Sequence, residues 1–366
     1  MALPDHSQPA QNPPVQRSIS IVVAVCLCSV GLAVPASTQE ALPCAGQTPQ
    51  AQADPAPLPW IDGSTTLAVL PDTEIYSKKH PESFEAQTRW IAENARAQNI
   101  AYVLHLGDIV HDDVEAQWQV AKRSFQLLDG KVPYALVPGN HDYTDAQRTT
   151  RINDFFKVAD FQNWPTFGGT CTEDRIENSY HLCRIGNRDW IILSLEFGPR
   201  DEVVSWANQI LDKHPDRLGI LVTHAYLFRD NVRFDHTAGK KQRASPDGWG
   251  NDGEQLWQKL VRTHAGMRLV FSGHVATGGL GHLVSTGDHG NAVHQIMVDY
   301  ENMRGGGSGY LRLVEFLPDG NAVQVRSYSP VLNRYLTDAG NQFTFTLSSA
   351  GLPDEASGRA PARPAK

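Results

Sequence analysis

Short apolar runs and amphipathic stretches alternate through the middle of the chain. "TLAVL" (66–70) reads as a strand, and "PESFEAQTRWIAENARAQ" then spaces Phe84, Gln87, Trp90, Ile91 and Ala95 at helical intervals behind Pro81, a residue suited to a first turn. "AYVLHL" (101–106) is the next strand. Ala116, Val120, Phe125 and Leu128 mark a second amphipathic helix, and "VPYALV" (132–137) makes a third strand. "YHLCRIGNRDWIILSLE" reads as a hairpin about an Ile-Gly-Asn turn. A helix near 200–213, the strand "LGILVT" (218–223), a helix near 253–263 and the strand "MRLVFS" (267–272) follow. The end changes character: "AVHQIMVDY", "GYLRLVEF", "NAVQVRSY" and "FTFTL" are strands joined by turns, with "LPDGN" the clearest hairpin signal. Parallel βαβ units followed by antiparallel strands predict a mixed α/β domain with helices on the sheet faces.

The strands share a second regularity, because polar residues stand at their carboxyl ends. Asp72 follows the first, Gly107-Asp108 the second, Gly139-Asn140-His141-Asp142 the third, His224 the strand at 218–223, and Gly273-His274 the strand at 267–272. Ligand sites of α/β folds lie in the crevice beyond those ends, so residues far apart in sequence can meet there. Two carboxylates, two imidazoles and an amide form a hard oxygen and nitrogen environment suited to Mn²⁺, Fe, Zn²⁺ or Mg²⁺, without the sulfur set of a structural zinc.

Composition narrows the partners. The chain has 366 residues, 41% hydrophobic and 20% charged, which is ordinary globular composition. Its net charge of -8 argues against broad attraction to nucleic acid or to an anionic membrane, and no nucleic-acid partner is expected. Arg17, the apolar run "SISIVVAVCLCSVGLAV" and Val34-Pro35-Ala36 read as a signal peptide over 1–36, so the protein is expected to be exported, periplasmic or secreted. The run is shorter than the roughly 20 residues of a spanning helix, and no stable membrane span is expected after its removal. Residues 37–64 read as a flexible leader, 65–349 as one domain and 350–366 as a disordered tail. Of the cysteines left after export, Cys171 and Cys183 are candidates for a disulfide, leaving Cys44 unpaired or intermolecular.

In this order the polar blocks resemble those of the calcineurin-like metallophosphoesterases, D-x-H, G-D, G-N-H-[D/E], a strand-end H and G-H-x-H. They stand here as "PDTE", "LGDIVHD", "PGNHD", "VTHAY" and "SGHVA", from about residue 66 to at least 276. The resemblance implies an α/β fold of four layers, an α-β-β-α sandwich of two mixed β-sheets with flanking helices and metals at one edge. It implies two divalent or mixed-valence ions of Mn, Fe, Zn or Mg, with Asp108 bridging them. Asn140, His224 and His274 would complete the second site, and Asp72 would belong to the first. His141 would sit beside the substrate as a proton donor to the leaving oxygen or a partner of the phosphoryl oxygens, with Asp142 orienting it.

The departures fall on one side. Glu74 and Ala276 stand where the family has imidazoles for the first ion. Asp72 and Glu74 would face the same way on an extended segment, so Glu74 is a candidate ligand, directly or through water, or else a pocket residue. His111, at the position of a tyrosine ligand in the related purple acid phosphatases, is another candidate, and His282 and His294 are further imidazoles near the glycine-rich stretch 278–290, which reads as a rim loop. A first site made of oxygens favours a hard ion. The leading reading is hydrolysis of a small phosphorylated substrate by a metal-activated water, with a phosphomonoesterase slightly preferred to a phosphodiesterase. A protein phosphatase and a non-catalytic metal-binding interaction protein on a decayed scaffold are the alternatives. Arg233, Lys240, Lys241 and Arg243 are candidate phosphate contacts, and the oligomeric state is open.

Overall fold

The computed structural model describes residues 55–238 and 250–347. The signal segment, Lys240, Lys241, Arg243, Cys44 and the tail lie outside the described residues. Among the described residues no helix is long and apolar enough to cross a membrane.

Two seven-stranded mixed sheets carry the fold. In the first, Thr65–Leu70 runs parallel to Ile100–His105, which runs parallel to Tyr134–Ala135. Leu311–Phe316 and Ala322–Ser329 extend it antiparallel, with Arg334–Leu336 and Phe343–Thr346 at its edge. In the second sheet, Arg188–Leu195, Leu218–Thr223, Met267–Ser272 and Ala292–Val298 all run parallel. Its flanks are the antiparallel strands Leu280–Thr286, Arg175–Ile185 and Phe167–Thr172.

Alternation along the strands produces the layers. Leu67, Val69, Tyr102 and Leu104 face Trp190, Ile192, Ile220, Val222, Leu269 and Phe271 between the sheets. The intervening residues Ala68, Leu70 and Val103 pack outward under Phe84, Ile91, Trp118 and Phe125 of helices Pro81–Asn94 and Glu115–Gln126. Ile191, Leu193 and Leu221 pack outward under Val203, Ala207 and Ile210 of helix Asp201–Lys213. Strands covered on both faces read as unbroken apolar runs, and burying one such Val or Leu side chain stabilises the fold by ~1.5–3 kcal/mol. The result is the expected four-layer α-β-β-α sandwich.

Several local expectations are corrected. Helix Glu115–Gln126 buries Gln117, Trp118, Ala121, Ser124 and Phe125, so its inner face is turned away from Ala116 and Val120. Trp118 decides this: its ring is fully buried and its indole N–H donates to Asp113 Oδ1 at 2.6 Å. The third strand shrinks to Tyr134–Ala135. The glycine-rich stretch is a strand, Leu280–Thr286, paired antiparallel to Ala292–Val298. Cys171 and Cys183 are both free thiols. Cys183 sits in the core between the sheets while Cys171 packs on the outer cluster of the same sheet, so the two point to opposite faces and cannot bond.

The last part of the expected leader is anchored. Leu58 N donates to Gln342 Oε1 at 2.7 Å and Ile61 N to Glu315 Oε1 at 2.8 Å. The Trp60 ring lies 3.6 Å from the Arg326 guanidinium carbon, and that guanidinium is paired with the buried Glu315. The main-chain hydrogen bonds and the cation–π contact hold this segment to the sheet.

Candidate metal centre

The parallel strands of both sheets end at one edge, and each end delivers a polar residue there. Two close approaches depend on glycine. A Cβ on Gly139 would lie 2.1 Å from Asp108 Oδ1, and one on Gly273 would lie 2.1 Å from Asp72 Oδ1. Asp108 and His274 themselves adopt positive φ, 48° and 74°, which is strained backbone for side chains with a Cβ and is held by the turns on either side.

Four of the expected residues converge. His224 Nε2 lies 3.1 Å from Asn140 Oδ1, 3.1 Å from Asp108 Oδ2 and 3.1 Å from His274 Nδ1. The other ring nitrogen of His224 donates to the Leu106 carbonyl at 2.9 Å, which leaves Nε2 as the lone-pair face. Burial, with His224 beside it, lowers His274 to about 3 and keeps its imidazole neutral. Burial alone would raise Asp108, but His224, His141 and His274 around it hold its carboxylate below the usual range.

Asp72 faces other partners. Its Oδ2 accepts from His274 N at 2.9 Å, and it groups with Asp299 and Glu301, whose ligand atoms and its own lie within 4.8 Å of one another. Sequence reasoning missed Asp299 and Glu301, at the carboxyl end of Ala292–Val298. In the protein alone these acids crowd one another. Burial first, then the neighbouring carboxylates, pushes Asp72 well above its ordinary value, and burial raises Asp299 to about 6 and, with Asp299 and Asp108 beside it, Glu301 to about 7.

Glu74 and His111 form a third grouping, with His141. Glu74 does not lie on an extended segment. It opens helix Glu74–Lys79, where residues two apart face different sides, so the alternation expected with Asp72 does not hold. Glu74 Oε1 lies 3.0 Å from His111 Nδ1 and Oε2 lies 3.2 Å from His141 Nδ1, while the two rings stack at 4.7 Å. His141 Nδ1 also meets the His111 carbonyl at 3.0 Å. Burial, then Asp108, Glu301, Asp142 and Asp299, raises Glu74 to about 10 in the protein alone, and cations among those acids would offset that repulsion.

Asp142 is placed differently from the expected brace of His141. Its carboxylate accepts backbone N–H groups of Gly139, Ile109 and Val110 at 2.7, 3.1 and 2.9 Å, tying the Gly139–His141 turn to the turn after Asp108. Burial and Asp108 raise it to about 8.

The remaining candidates lie in structural contacts. His282 and His294 meet each other at 3.0 Å and stack on Phe343 and Phe345. Arg233 bonds Gln295, Glu254 and Ser285 and lies over Trp257. Asp235, His236 and Asp252 also cluster, but Asp252 is the capping residue of helix Gly253–Leu256.

Residues 65–278 match the calcineurin-like phosphoesterase family over more than half of the chain. The chain belongs to that family. The chain is 35% identical over 294 residues to a Bacillus subtilis (strain 168) protein named "Uncharacterized protein YvnB". That match covers 77% of the present chain and 21% of YvnB, so the chain spans about a fifth of the length of that relative. Among solved structures, a purple acid phosphatase from yellow lupin aligns over 80% of the chain and 55% of its own, with 14% identity and a TM-score of 0.49. A 5'-nucleotidase precursor from Thermus thermophilus aligns over 77% and 55%, with 13% identity and a TM-score of 0.41. These likenesses are loose, and the assignment rests on the family match. Members of the family are hydrolases that bind two divalent metals, and the residues of this chain fit that requirement. Four donor atoms meet around His224 Nε2, while Asp72 Oδ1 and Asp299 Oδ2 are buried and accept no hydrogen bond from an N–H or O–H of the protein.

Proposed function

We propose that the protein hydrolyses phosphoric esters with a metal-activated water, acting on small phosphorylated substrates with a slight preference for monoesters. One observation carries the reading: His141 stands beside the converging donors Asp108, Asn140, His224 and His274, its backbone N–H donating to Asp108 and its Nδ1 engaged by the His111 carbonyl. Asp108, Asn140, His224 and His274 would hold one ion, and Asp72 and Asp108 would serve the other. When bound, such ions lower the pKa of a water and neutralise the phosphoryl oxygens.

The chain's own residues supply the rest. The His141 backbone N–H donates to Asp108 Oδ1 at 2.9 Å, fixing the turn that presents the imidazole. With Nδ1 directed at the His111 carbonyl and Glu74, the ring keeps Nε2 for the substrate, and an imidazolium there can hand a proton to the departing oxygen. Glu74 stabilises that charged ring and fixes its plane, and His111 stacks against it. Asp142 holds both turns together through backbone N–H groups. The amino-terminal sequence supports export as the setting.

The test is hydrolysis of one aryl phosphate monoester and one diester after reconstitution with Mn²⁺, Zn²⁺, Fe or Mg²⁺, in wild type and His141→Ala. The expected result is metal-dependent hydrolysis, faster on the monoester, which His141→Ala lowers by ~10²–10⁴-fold while keeping its metal. Faster diester cleavage would make the enzyme a phosphodiesterase. Full metal loading with no hydrolysis of either ester would support the decayed-scaffold alternative.

A further inference from the structure

The first metal position lacks both imidazoles of the family pattern, since Glu74 turns toward His111 and His141 and residue 276 is alanine. The strand Ala292–Val298 runs parallel to Met267–Ser272, so its carboxyl end reaches the same edge as His274 and brings Asp299 and Glu301 to Asp72. We propose that Asp299 and Glu301 are ligands of the first ion, completing with Asp72 a set built of carboxylate oxygens alone.

The hydrogen bonding separates this cluster from an ordinary acidic patch. Asp72 gives Oδ2 to the His274 N–H at 2.9 Å, and Asp299 gives Oδ1 to the Glu301 N–H at 2.8 Å. The remaining oxygens, Asp72 Oδ1 and Asp299 Oδ2, have no hydrogen-bond partner although each residue is only 3% exposed. Each acid is thus fixed by the backbone through one oxygen, while the two side chains otherwise meet each other and His224 Nδ1 stands 3.9 Å from Asp72 Oδ1, all in a buried place. An ionised, unpaired oxygen there is strongly unfavourable without a cation. Gly279 allows the close approach of this segment, because a Cβ there would lie 2.6 Å from the Asp299 carbonyl oxygen and 2.7 Å from Asp299 Cβ.

The cluster of Glu74, His111 and His141 is the competing position, and its atoms are engaged differently. Glu74 Oε1 is hydrogen-bonded to His111 Nδ1, Oε2 lies 3.2 Å from His141 Nδ1 without a hydrogen bond, and His141 Nδ1 donates to the His111 carbonyl, which occupies that nitrogen with a proton. Three carboxylates favour Mn²⁺ or Mg²⁺, whereas the imidazoles of the neighbouring position also suit Zn²⁺.

The assignment rests on the phosphoesterase reading only in requiring two ions, and metal counting separates the two. Full-length protein is titrated with Mn²⁺, with bound metal measured by elemental analysis and spin coupling by electron paramagnetic resonance, for wild type, Asp299→Asn, Glu301→Gln and Glu74→Gln. The expected result is two coupled Mn²⁺ ions in wild type and Glu74→Gln. Asp299→Asn and Glu301→Gln should weaken one equivalent by more than about 100-fold, beyond what losing a residue that merely braces a ligand produces, and should show the spectrum of isolated Mn²⁺. Glu301 is partly exposed, so Glu301→Gln keeps the test valid if the buried Asp299→Asn fails to fold. Two coupled ions at unchanged affinity in Glu301→Gln, or a single ion in wild type, would overturn the assignment. Wild type that binds two coupled ions and loses one in Glu301→Gln, yet cleaves neither ester, would overturn the phosphoesterase reading and leave the assignment standing.

Discussion

The two halves of the cleft meet the same electrostatic problem with different chemistry. Around His224, one carboxylate is surrounded by imidazoles and an amide, and Asp108 is held below its ordinary range despite complete burial. Around Asp72 three acids face one another with only the far nitrogen of His224 beside them, 3.9 Å from Asp72 Oδ1, and burial above all pushes Asp72, Asp299 and Glu301 upward. The first set is nearly balanced before any cation arrives, and the second is not. Affinity and ion preference therefore need not match across one centre: the imidazole side would be preorganised, and the acidic side would depend on the charge it receives.

Asp108→Asn removes the residue proposed to serve both halves, and it should produce the largest effect, loss of both coupled ions and of hydrolysis to background, measured by metal content and turnover on one sample. The glycines separate the halves. Gly273→Ala should displace Asp72 and Gly139→Ala should displace Asp108, and a shift of about 1 Å costs on the order of 10²-fold in rate. The first should impair the acidic side alone and the second both sides, as read by Mn²⁺ titration. Equal loss at both positions in Gly273→Ala would break the separation. Glu74→Gln should keep two ions and lower kcat by about 10–100-fold through weaker support of His141, with KM little changed. Smallest at the centre is Arg326→Met, far along the first sheet. Removing one partner of the buried Arg326–Glu315 pair should destabilise the fold by ~3–5 kcal/mol in denaturant unfolding while leaving metal stoichiometry intact.

The imidazole side is legible in the sequence because each of its residues follows an apolar run whose direction the βαβ pattern sets. Strands 218–223 and 267–272 are readable to the residue, and with them the positions of His224 and His274. The acidic side is harder because direction is absent from a strand's composition. "AVHQIMVDY" reads as a strand but groups with the antiparallel ending, whereas it pairs parallel to Met267–Ser272 and therefore ends at the metal edge. The same strand-end rule that finds Asp72, applied to that direction, finds Asp299. Glu74 shows the opposite limit: two residues after a strand, the chain has already begun helix Glu74–Lys79, and no local hydrophobic period distinguishes the first turn of so short a helix from an extended segment. Asp142 escapes for another reason, since its partners are backbone N–H groups of two turns, and only the folded chain brings those together.

The most direct measurement is a Mn²⁺ titration of metal-free, full-length protein in which bound metal and hydrolysis of an aryl phosphate monoester are followed together. Two binding steps are expected, a tight one from the imidazole side and a weaker one from the acidic side, with turnover rising as the second fills and vanishing on chelation. Protein that binds no metal at any concentration, or whose hydrolysis is indifferent to the metal it binds, would contradict that expectation.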